Sequence, residues 1–130
     1  MAAKVVRVHR PSPNPKVLDW LSANEEHLVV DPLILGELCI GFLGLAAGRK
    51  RARLEQWFEA LVQTIECLPW TAAVSRRWAR LVVALRKKGT TLPVLDAMIA
   101  ATALEHGLTV ATRNVRDFKK AKVKVVDPFI

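Results

Sequence analysis

The chain has 130 residues, the length of one ordinary domain, and 52% of them are hydrophobic, which excludes a disordered polymer and supplies a core without staples. Its formal net charge of +8 favours polyanionic partners, nucleic acid first among them. Two cysteines, Cys39 and Cys67, are too few for a disulfide framework or a zinc site, and both read as buried free thiols of a reducing compartment.

The N-terminus does not join a basic region to a long apolar run, so no signal peptide is expected. No apolar run reaches the ~18 residues that span a bilayer, so the expectation is a cytoplasmic protein with no membrane association.

Lys4 to Val8 is a short β-like run, and Pro11, Pro13 and Pro15 make the next stretch an extended loop. Lys16 to Ala23 reads as a short amphipathic helix, and His27 to Val30 as a buried strand. Asp31 followed by Pro32 predicts a helix N-cap with proline at the first helical position, the helix running to Gly48. From Arg49 to Gln63, the residues Leu54, Trp57, Phe58, Leu61 and Val62 recur on one helical face. Thr64 to Pro69 predicts a strand. Thr71 can cap a helix to Lys88 with an inner stripe of Val74, Trp78, Leu81, Val82 and Leu85, ended by Gly89.

A helix from about Pro93 to His106 follows, closed by Gly107. Leu108 to Thr112 is a strand, Asn114 to Phe118 a turn or one helical turn, and Val123 to Val126 a last strand. Short apolar strands separated by helices call for a parallel sheet covered by helices, an α/β/α sandwich in one domain over 1–130, with 1–15 as an atypical N-terminal segment.

In such sheets ligands bind at the carboxyl ends of the strands. Glu37, Asp96, Asn114 and Asp117 all fall just after strands or near the starts of helices that meet that edge. Carboxylates packed together repel and resist desolvation, and a divalent cation removes both problems. Each has a plainer reading: Asp96 and Glu37 as helix-dipole acids, Asn114 and Asp117 as turn residues, and Asp31 as an N-cap that is also a further acid near the edge. His9, His27 and His106 read as structural or surface residues, and there is no Gly-rich phosphate loop or nucleophile elbow. The basic runs Arg49–Arg53, Arg76–Lys88 and Lys119–Lys124 read as solvated faces or as a surface for a polyanion.

The stretch LPVLDAMIAATALEHGLTVATRNVRDF, residues 92–118, resembles the C-terminal half of VapC-type PIN-domain toxins, the ribonucleases of bacterial toxin–antitoxin pairs. LILGELCIG resembles their helix with its glutamate, and PNPKVLDWL and VVDPF also look like family segments. The resemblance runs from about Pro11 to Phe129. It implies an endoribonuclease dependent on Mg²⁺, with Mn²⁺ as an alternative, in which an acidic cluster holds the metal and a metal-activated water cleaves RNA. Carried over, Glu37, Asp96 and Asp117 are the expected metal ligands and, with Asn114, the catalytic set. Thr112 and Arg113 complete the T-R-N-x-x-D motif as substrate-binding residues. The expected partners are RNA, single-stranded or looped, a small cognate antitoxin and a second copy of the chain.

The family opens with a strand ending in D-T-N, whose aspartate is its first ligand. Here no acid precedes Asp19; the run Lys4 to Val8 can fill that strand's place in the sheet, but it brings Arg7 and not a carboxylate. Two readings account for this: a reading frame that begins further upstream, or loss of the first strand with its acid. Ile34 stands where relatives often carry threonine. The expected activity is therefore RNA cleavage, with a non-cleaving protein that binds antitoxin or nucleic acid as the alternative. An unrelated α/β domain with a basic surface is a third.

Overall fold

Five short strands, all parallel, form one sheet in the computed structural model, which describes residues 4–6, 23, 24 and 28–127. They are β1 (Lys4–Val6), β2 (Leu28–Val30), β3 (Glu66–Cys67), β4 (Thr109–Ala111) and β5 (Lys124–Val126), in the spatial order β3-β2-β1-β4-β5. Five described helices connect them: α1 (Pro32–Leu43), α2 (Arg49–Thr64), α3 (Ala72–Lys87), α4 (Val94–His106) and α5 (Val115–Lys120). The parallel α/β architecture expected from the alternation of elements is present. The expected helix over 16–23 and the proline-rich loop lie largely outside the described residues.

β1 occupies the centre of the sheet. Its Lys4 is registered with both Leu28 and Thr109, and Val5 with both Val29 and Val110. The position of a first strand is thus filled, which corrects the reading that the strand is lost. The missing carboxylate is a separate matter of sequence. The chain winds outward from β1 to β2 and β3, then crosses to β4 and β5 on the other side. The winding direction therefore reverses between β1 and β4, and the crevice outside their carboxyl ends is where such sheets take ligands.

Leu28, Val29 and Val30 are all buried, as a strand covered on both faces requires. Val30, Val110, Ile34, Ile99 and Phe118 lie in the centre of the core, and Phe42 packs against Phe58 in a tilted pair with ring centroids 5.3 Å apart. α4 is buried over most of its circumference (Ala97, Ile99, Ala100, Ala101, Thr102, Ala103), which its run of small residues permits; α3 packs along it. Arg77 on α3 donates to Glu105 on α4 at 3.2 Å.

The local signals mostly hold. Asp31 accepts the Ile34 N–H at 2.9 Å as N-cap of α1, Thr71 accepts the Val74 N–H at 3.2 Å as N-cap of α3, and Gly107 closes α4 in the left-handed region at φ 65°. Three expectations are corrected. α1 stops at Leu43, with the Gly44 N–H on the Ile40 carbonyl, four residues before Gly48. β3 shrinks to two residues at the edge of the sheet, where only one neighbour is available to pair with it. Cys67, on that edge strand, is exposed, and Cys39 is half-buried, so neither is a core thiol, although both are free.

Candidate active site

β4 delivers the site. Its last residue, Ala111, pairs with Val6 of β1 on one side and Val126 of β5 on the other, so the chain leaves the sheet beside the crevice. Thr112 is fully buried; its N–H donates to the Val126 carbonyl at 2.9 Å and its hydroxyl accepts the Asn114 N–H at 3.0 Å. This bond within two residues makes the tight turn that starts α5. Thr112 was expected to touch substrate; burial instead makes it the support under Asn114. Arg113 is exposed. Phe118, wholly buried one turn further, anchors α5 to the core and fixes where Asp117 stands.

Asp96 comes from the first turn of α4 and is 2% exposed. The Asn114 side chain joins it to Asp117: Nδ2 donates to Asp96 Oδ2 at 3.0 Å and to Asp117 Oδ2 at 2.9 Å. Asp117 Oδ1 faces Lys120 Nζ at 3.3 Å across a partly exposed ion pair. The Asn114 hydrogen bond, helped by Lys120 and Arg116 and opposed by burial, holds the Asp117 carboxyl below its ordinary range. Both carboxylates thus converge on one point at the carboxyl edge of the sheet. Arg113, Arg116, Lys119 and Lys120 are exposed on the same short segment.

Glu37 is half-buried on α1, and it does not close a trio with these two: among the described residues no three His, Cys, Asp or Glu side chains come near enough together to hold a metal ion. Asp31 is not at the convergence point either. It is 1% exposed, and its two oxygens take the Ile34 N–H and, at 3.3 Å, the Thr102 hydroxyl. It is a structural cap. His106 is exposed at the end of α4, as expected, while His9 and His27 lie outside the described residues.

The donor set still suits a hard cation. Mg²⁺ prefers oxygen and keeps most of its waters, so it is commonly held by one or two carboxylates. Asp96 and Asp117 offer two converging carboxylates, one of them deeply buried, with no sulfur or imidazole among them.

The PIN domain family pattern matches residues 5–124. The chain belongs to the PIN-domain family. Within it the chain is a VapC-type member: it is 30% identical over 124 residues to VapC ribonuclease Y4jK of Sinorhizobium fredii, a match covering 92% of this chain and 89% of that protein. The structure of FitAB bound to an IR36 DNA fragment superposes with a TM-score of 0.78 at 28% identity, over 98% of this chain and 96% of that one. VapBC-5 of Mycobacterium tuberculosis, a member of the VapBC family of toxin–antitoxin systems, gives 0.73 at 27% identity over 97% and 98%. In this PIN domain, no helix among the described residues is long and apolar enough to cross a membrane.

Proposed function

We propose that the protein is the ribonuclease toxin of a toxin–antitoxin pair, hydrolysing RNA phosphodiesters with the help of a divalent cation, Mg²⁺ or Mn²⁺. The observation that carries this is the convergence of Asp96 and Asp117 through Asn114 outside the switch point of the sheet. Family membership supports the chemistry, since the relative named above is a ribonuclease. Asp96 and Asp117 hold the cation. Glu37 is proposed as a further carboxylate only from its match to the family's glutamate, since among the described residues it does not join Asp96 and Asp117 in a three-acid cluster. When bound, the cation neutralises charge at the scissile phosphodiester and activates water. Arg113, Arg116, Lys119 and Lys120 draw the phosphate backbone toward the acids, and Thr112 keeps Asn114 in register. Single-stranded or looped RNA suits a shallow edge that must reach exposed backbone. A small antitoxin, a second copy of the chain and the cytoplasm complete the proposal; the toxin–antitoxin likeness of VapBC-5 supports the first of these.

One sequence fact favours a second reading, a PIN domain that binds but does not cut: no Asp or Glu precedes Asp19. The separating experiment incubates the 130-residue protein with tRNA and single-stranded RNA in Mg²⁺, in Mn²⁺ and in chelator, beside Asp96→Asn. Metal-dependent cutting that disappears in Asp96→Asn is expected. No cutting by a folded protein that still binds RNA would support the second reading, and cutting unaffected by Asp96→Asn would refute the metal assignment.

A further inference from the structure

An asparagine at the N-cap of a helix ordinarily turns its side-chain oxygen back to accept an N–H of the first turn. Asn114 stands at the N-cap of α5 and makes no such bond. Its amide instead donates to two acids, Asp96 on α4 at 3.0 Å and Asp117 in the first turn of α5 itself at 2.9 Å. With a carboxylate oxygen on each side, only the nitrogen of the amide can face them, because the amide oxygen has no hydrogen to give.

The bridge is built from below. The Asn114 N–H is held on the Thr112 hydroxyl at 3.0 Å, and Thr112 and Phe118, on either side of it in sequence, are both fully buried. The amide is therefore presented to the acids by fixed backbone rather than by a mobile loop. It puts the positive end of a dipole between two carboxylates that would otherwise repel, one of them almost wholly removed from water. Each carboxylate gives one oxygen, Asp96 Oδ2 and Asp117 Oδ2, to this single amide nitrogen.

We propose that Asn114 is an internal stand-in for a cation: its side-chain amide bridges Asp96 and Asp117 and competes with a metal for them. The inference rests on the metal-binding reading of this acid pair. It gives Asn114 a role opposite in sign to that of a ligand or a water-positioning group. Removing a ligand weakens metal binding, whereas removing a competitor strengthens it and leaves the metal-free acids to repel.

The test is calorimetric titration of the full chain with Mn²⁺, for wild type, Asn114→Ala, Asn114→Ser and Asp96→Asn, with thermal melts of each in chelator. Serine keeps a capping residue at the N-cap and is too short to bridge, so it covers the case in which alanine does not fold. Breaking two hydrogen bonds to charged groups opposes metal binding in the wild type, so the Asn114 variants should bind Mn²⁺ at least about tenfold more tightly. They should also melt lower than wild type in chelator and gain more melting temperature on Mn²⁺ addition. Equal or weaker Mn²⁺ binding in both Asn114 variants, with binding lost in Asp96→Asn, would overturn the competitor role and leave the metal reading standing. No Mn²⁺ binding in any of the proteins would overturn both.

Discussion

Replacing Asp31 tests whether this buried acid is a structural cap or a substitute for the family's first ligand. Its carboxylate accepts the Ile34 N–H at 2.9 Å and the Thr102 hydroxyl at 3.3 Å, and it is 1% exposed. Asp31→Ala removes an N-cap, which costs about 1 kcal/mol, and strands a buried hydroxyl, which costs about 1–3 kcal/mol. Thr102 retains the Met98 carbonyl at 3.5 Å as a second acceptor, so the lower part of that range applies and the sum is about 2–3 kcal/mol. Asp31→Asn keeps the capping oxygen and turns an amide toward the Thr102 oxygen, and should stay within about 0.5 kcal/mol of wild type at pH 7.

The pH dependence adds a second check. Burial, outweighing the hydrogen bonds from Ile34 and Thr102, raises the Asp31 carboxyl above its ordinary 3.8. The folded state then holds the proton more tightly than the unfolded one. Stability from this group is full below 3.8 and falls as pH rises from 3.8 through the raised value. The stability of Asp31→Asn relative to wild type should therefore be greater at pH 7 than at pH 3.5, a pH on the acid side of that window. Urea denaturation in chelator at the two pH values, with Thr102→Val to close a double-mutant cycle, measures all of this. A cost below about 0.5 kcal/mol for Asp31→Ala would refute the cap argument, as would a cost for Asp31→Asn equal to that of alanine. Unchanged stability in Asp31→Asn together with lost Mn²⁺ binding would make Asp31 a ligand instead.

Phe118→Ala empties a fully buried site in α5 and should cost about 3–5 kcal/mol by denaturant midpoint, while loosening Asp117 enough to weaken Mn²⁺ binding in calorimetry. The glycines give a contrasting pair. Gly107→Ala meets no atom within 4 Å but sits at φ 65°, so it should lose about 1 kcal/mol on conformational grounds alone. Gly36→Ala, inside α1 with equally open space, should gain about 0.5–1 kcal/mol in the same thermal or urea melts.

Much of this protein is set by local chemistry that a linear reading exposes. Asp31-Pro32, Thr71 and Gly107 punctuate helices because capping and positive φ depend on neighbours only a few residues away. The period of Leu54, Phe58 and Leu61 sets the buried face of α2 for the same reason. Asp96 was legible as an acid misplaced in an otherwise apolar helix, and the 92–118 pattern pointed to the family. Tertiary structure decided the rest. α1 ends at Gly44 and not at Gly48, although both glycines look alike in sequence. Cys67 resembles a core thiol until β3 is seen to be the sheet's edge. Thr112 and Arg113 are adjacent in one motif, yet the first is buried, with its N–H on the Val126 carbonyl, and the second is exposed in the bend that follows. Asn114 meets Asp96 across eighteen residues of chain because β4 enters the sheet beside β1, a relation no local spacing encodes. The convergence of the two acids on one amide is therefore a property of strand order, while the residues that converge were chosen by the sequence.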